Sequence, residues 1–215
     1  MKKPLIIAPP PWELKGSGYI FVYKFDKEFI NQNGFLQDFQ KGNYKGFFGT
    51  VMLVDYSESA VGPYFELLFV PGLFKIGDKK RFSIAKIYVS SYDSVWNGIQ
   101  NWGIPKEIAT FKKSRNDNSE IFEASLDNQT FFKAEVQKGK FKFPISTAFF
   151  PLKLAQKLGN KVILTNSSAK GKATFSSLKS IEIDPNYFPD ISKFKPILSL
   201  SVDDFKMVFP IPTIQ

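Results

Sequence analysis

The 215-residue chain carries 29 basic and 20 acidic residues, a formal charge of +9, and neither cysteine nor histidine. Disulfides, zinc sites built on thiolate or imidazole, and Ser-His or Cys-His nucleophile systems are thereby excluded. Acid–base work at neutral pH falls to Lys, Asp, Glu or Tyr with a shifted pKa, and a hydrophobic fraction of 43% with 24 phenylalanines predicts a folded chain with a thick apolar interior or cavity.

In chain order, MKKPLIIAPPPWELKG pairs two lysines with the apolar run Leu5 to Ala8. That run is too short for a signal-peptide core and ends in three prolines, so a cytoplasmic location is expected. Strands are predicted at Gly18 to Phe25, Gly46 to Tyr56 and Pro63 to Gly72, all rich in β-branched and aromatic residues. Arg81 to Ser91 reads as one strand covered on both faces, since neither of its alternating sides is polar. SEIFEASL, QTFFKAEVQKG and KFKFPI read as a meander with tight turns at Asp127-Asn128 and Lys138-Gly139. KVILTNSS, GKATFSSLKSIEID and ILSLSVDDFKMVFP complete a strand-rich second half. Helices are predicted at Lys27 to Gln32 with Gly34 as stop, at Ser91 to Gln100 with Ser91 as N-cap, and at Pro151 to Leu158 with Gly159 as stop.

Without repeats, low-complexity tracts or polar linkers, residues 1–215 are expected to form a single domain. Its fold class is mainly β, an antiparallel barrel- or cone-like sheet with a few short helices around a cavity. No apolar window approaches a membrane span. A nucleic-acid partner is not expected either, because only Arg81 and Arg115 among the basic residues are arginine and the lysines are scattered.

Three blocks resemble the acetoacetate decarboxylase-like family over roughly residues 9 to 111. They are PPPWELKGSGYIFVYKF, VMLVDYSESAVGPYFELLFVPG with Tyr56-Ser57-Glu58-Ser59 inside it, and NGIQNWGIPKEIATF with the pair Pro105-Lys106. The resemblance implies a β-rich domain with an apolar cavity and a homo-oligomer. It implies a Schiff base between Lys106 and the keto group of a β-keto acid, whose protonated imine accepts the electrons left by departing carbon dioxide. No metal or organic cofactor is then required. The same resemblance places Glu58 among the catalytic residues. Tyr56, Trp102, Gln100 and Glu107 are the expected substrate-binding residues.

Such chemistry requires the Lys106 amine unprotonated, so its pKa must fall below the ordinary lysine value of about 10.4. The neighbours Trp102, Ile104, Ile108 and Phe111 are suitably apolar, and Pro105 restricts the backbone before the lysine. The sequence departs from the enzymes at Glu107, where they carry a second lysine, and at Ile99-Gln100, where they tend to carry Arg-Glu. A carboxylate at Glu107 facing the amine would raise its pKa. Glu66, between Phe65 and Leu67, reads as a structural ion-pair partner. Two functions follow: a cofactor-independent Schiff-base lyase, or a non-catalytic binder of a small hydrophobic ligand.

Overall fold

The strand signals become, in a computed structural model that describes residues 1–116, 118–149 and 152–215, a large sheet with two helices. β1 (Trp12–Lys24) leads through helix α1 (Lys27–Asn33) to β2 (Phe48–Glu58), β3 (Tyr64–Val70), β4 (Leu73–Ile76) and β5 (Lys79–Phe82). β6 (Lys86–Val89), helix α2 (Tyr92–Trp102) and β7 (Lys106–Ile108) follow, then β8 (Thr110–Arg115), β9 (Glu120–Leu126) and β10 (Gln129–Ser146). The chain ends with β11 (Leu152–Leu158), β12 (Lys161–Ile183), β13 (Leu198–Phe209) and β14 (Thr213–Ile214).

The main hydrogen-bonded path runs β4-β5-β11-β12-β13-β1-β2-β3-β6-β7, and β10 branches from β12 to carry β9 and β8. Pairing is antiparallel except at β5–β11 and β6–β7. Among the described residues the end strands β4 and β7 do not pair, so the expected barrel does not close. The β6–α2–β7 unit is the crossover that a parallel pair requires.

Alternation gives the central strands two buried faces. Tyr19, Phe21, Tyr23, Leu53, Leu67 and Phe69 point into an aromatic core. The intervening Ile20, Met52, Val54 and Leu68 belong to a second apolar cluster on the opposite face. This explains why β2 and β3 read as nearly continuous apolar runs.

Four local readings require correction. The Arg81 to Ser91 run breaks at Ser83–Ala85 into β5 and β6; Gln40 fills the break by donating to the Ser83 hydroxyl and the Ile84 carbonyl. Lys138-Gly139 is not a turn, because β10 continues through it with a register shift against β12 between Lys138 and Lys142. KVILTNSS and GKATFSSLKSIEID form one strand, β12, with another shift against β13 between Lys170 and Lys172. Leu152–Leu158 is β11 rather than a helix, since each of its residues pairs with β12, and Pro151 lies outside the described residues. The Asp127-Asn128 turn does form, with φ of 47° and 64°, as do α1 capped by Asp26 and α2 capped by Ser91.

Candidate functional site

The second apolar face encloses a cavity of about 570 Å³ whose lining includes Trp12, Tyr56, Tyr64, Glu66, Trp102 and Lys106. Lys106 reaches it through the crossover. Gly103, at φ 65°, ends α2 in the left-handed conformation that glycine adopts without a Cβ clash. Ile104 and Pro105 then lead into β7, where Lys106 pairs with Ile87 of β6. Its side chain lies across α2, with Cδ so close to Gly98 that a Cβ there would sit 2.7 Å away. Ser94, Gly98 and Trp102 recur at helical spacing, so one stripe of α2 faces the lysine and the cavity.

The Lys106 side chain is only 6% exposed and donates to Glu66 Oε2 at 2.9 Å, to Ser94 Oγ at 3.0 Å and to Tyr64 Oη at 3.4 Å. The amine also stands 5.0 Å from the centre of the Tyr64 ring. Tyr56 donates to the other Glu66 oxygen at 3.0 Å. The Lys106 amine and both Glu66 oxygens therefore have partners, the condition for burying an ion pair without an orphaned charge.

Electrostatics differ from the expectation. Burial pulls the Lys106 amine down, but the Glu66 carboxylate and the Tyr64 oxygen outweigh it and hold the amine above the ordinary lysine value. Burial and the adjacent Glu66 charge push the Tyr56 phenol well up, keeping it neutral and a donor. The resting state is thus an ammonium–carboxylate pair in an apolar chamber, with a neutral phenol on the carboxylate.

The other expected site residues separate into two groups. Tyr56 and Trp102 line the cavity, Trp102 donating its indole N–H to Pro210 O at 2.9 Å and meeting Trp12 edge-on at 5.2 Å. Glu58, Gln100 and Glu107 are exposed and do not line it. Glu58 is paired with Lys15 at 2.7 Å, because a register shift between Lys15 and Gly16 interrupts the alternation that carries Tyr56 inward. Glu107 follows Lys106 in β7 and so points to the opposite face, where it pairs with Lys86 at 2.6 Å. Gln100 lies on the outer side of α2.

The carboxylate at the amine is therefore Glu66, which the sequence reading kept as a structural partner. Tyr64 and Ser94 also bond the amine, and neither is among the site residues expected from the sequence. Their signals were present: Tyr64, Glu66 and Leu68 alternate on one face of an apolar strand, and Ser94 precedes Gly98 by four residues.

No protein-family model and no curated protein sequence matches the chain. Solved structures do. Acetoacetate decarboxylase from Legionella pneumophila superposes with a TM-score of 0.73 at 14% identity, covering 100% of this chain and 92% of that one. An acetoacetate decarboxylase-like enzyme from Sphingomonas wittichii RW1 gives 0.72 at 11% identity, covering 97% and 94%. The enduracididine biosynthesis enzyme MppR complexed with pyruvate gives 0.69 at 13% identity, covering 97% and 91%. The chain has the acetoacetate decarboxylase-like fold.

Proposed function

We propose that this protein is a cofactor-independent lyase that decarboxylates a β-keto acid through an imine on Lys106. The observation that carries the reading is a lysine amine buried at one end of a large apolar cavity, hydrogen-bonded to Glu66, Ser94 and Tyr64. Nucleophilic attack requires the neutral amine. Glu66 is placed to take the ammonium proton, giving an uncharged amine and an uncharged acid. A ligand that expels water from the cavity favours that uncharged pair over the ion pair.

The amine then adds to the keto carbon, and the Glu66 proton goes to the carbinolamine oxygen, which departs as water. The resulting iminium faces the restored carboxylate. The bond to the carboxylate carbon breaks, its electron pair moves into the new enamine, and carbon dioxide leaves. Protonation of the enamine carbon and addition of water release the methyl ketone and the amine. The net reaction consumes one proton and yields ketone and carbon dioxide.

Reduction with borohydride in the presence of acetoacetate or pyruvate, followed by peptide mass analysis, tests the reading. A mass increment on Lys106 that is absent from Lys106→Ala supports it. The second reading, a non-catalytic binder of a small hydrophobic ligand, is favoured by the elevated Lys106 amine; it predicts ligand binding without any increment. A homo-oligomer is also proposed, on the family resemblance of the sequence blocks described above. Light scattering at several protein concentrations tests it.

A further inference from the structure

Acetoacetate is small for this cavity. At roughly 30 Å³ per water-sized group, 570 Å³ holds up to about nineteen non-hydrogen atoms, and acetoacetate fills less than half of that. The charged groups on the described lining are few: Lys106 and Glu66, already paired with each other, and the exposed Lys170. The rest of the chamber offers mainly aliphatic surface, from Ile20, Met52, Leu68, Leu198 and Leu200.

That surface has a direction. Glu66 is opposite Val54 in the β2–β3 pair, and the lining continues along β2 through Met52 and Thr50 to Phe48. Six residues of strand are about 20 Å long. At the far end Phe48 and Ile197 are 43% and 59% exposed, so the lining there reaches solvent.

We propose that the site is built for β-keto acids with a long unbranched apolar tail, the keto carbon at Lys106 and the tail running along β2 toward Phe48 and Ile197. This rests on the imine reading above and adds the substrate class to it. The tail has two effects. It binds by the burial of its methylenes, and it removes the water that would otherwise stabilise the Lys106–Glu66 ion pair. A short acid displaces less of that water, so a smaller fraction of the amine is neutral and a higher concentration is needed for trapping. 3-Oxododecanoate and 3-oxohexadecanoate fall within the size limit set by the cavity.

The experiment is borohydride trapping on the full chain with acetoacetate, 3-oxooctanoate, 3-oxododecanoate and 3-oxohexadecanoate, each below its aggregation limit, recording half-saturating concentrations. Each buried methylene tightens binding about fourfold, so the step from acetoacetate to 3-oxooctanoate is expected to lower half-saturation on the order of 10²-fold. Val22→Phe and Leu198→Phe, each placed on the partly exposed tail path, are expected to reduce the preference for 3-oxododecanoate over 3-oxooctanoate about tenfold. Equal half-saturation across the series overturns the proposal and leaves the imine reading standing. An unchanged chain-length preference in both phenylalanine variants overturns the assigned tail path. No increment with any acid overturns the imine reading and the proposal together.

Discussion

Gly98→Ala separates the position of the Lys106 amine from the stability of the fold. A Cβ built at Gly98 would lie 2.7 Å from Lys106 Cδ, 3.0 Å from Cε and 3.4 Å from Cγ. Ordinary carbon–carbon contact is about 3.5–4.0 Å, so the lysine stem must retreat by roughly 1 Å. It cannot retreat freely, because its backbone is paired in β7 and its amine is bonded to Glu66, Ser94 and Tyr64. A displacement of that size at a reacting atom costs on the order of 10²-fold in rate. The same substitution replaces glycine within α2, worth about 0.5–1 kcal/mol in favour of the folded state before the clash is counted. The expected result is a variant with a melting temperature near wild type and about 10²-fold slower imine trapping. Trapping at the wild-type rate would refute the claim that Gly98 sets where the amine sits. A cooperative loss of folding would refute the claim that the lysine stem, rather than the helix, absorbs the clash.

Glu66→Gln removes the largest influence holding the Lys106 amine up, so the pH profile of trapping should shift to lower pH, while its maximal rate should fall because the amide cannot pass a proton to the carbinolamine oxygen; a profile unchanged in shape from pH 6 to 9 would count against Glu66 as the controlling group. Because the folded-state amine titrates above its ordinary 10.5, its stabilising contribution is complete below that pH and declines as pH rises through the folded value, so denaturant midpoints should fall above about pH 10.5 and do so less in Lys106→Met. Lys106→Met alone should cost about 3–5 kcal/mol in urea unfolding by leaving the buried Glu66 without its cation, and Lys106→Met with Glu66→Leu should recover much of that loss. Glu107→Gln and Glu58→Gln remove surface partners of Lys86 and Lys15, and the trapping rate should be unchanged in both.

Strand content, the two helices with the Ser91 cap of the second, and the Asp127-Asn128 turn were legible because each depends on neighbours within a few residues. Lys106 was legible through the family resemblance of the block around Pro105-Lys106, which lies in one contiguous stretch of sequence. Local signals failed where pairing decided the outcome. Leu152–Leu158 has an acceptable helical pattern, yet the partner strand β12 holds every residue of it extended. At Lys138-Gly139, pairing with β12 on both sides of a register shift carried β10 through an apparent turn.

The site divides in the same way. The sequence by itself determined that a lysine stands at the start of a strand after a helix, amid apolar residues, with no histidine or cysteine to share its chemistry. It did not determine which carboxylate meets that lysine. Glu107 is adjacent in sequence and Glu58 lies in the motif, but strand alternation turns the first away and a register shift takes the second to the surface. Glu66 reaches the amine because β3 pairs with β6 and β6 with β7, two successive pairings that together bridge the forty residues between Glu66 and Lys106. The lysine's charge was decided there too, since burial and a carboxylate shift its pKa in opposite directions and only their distance in the folded chain says which prevails.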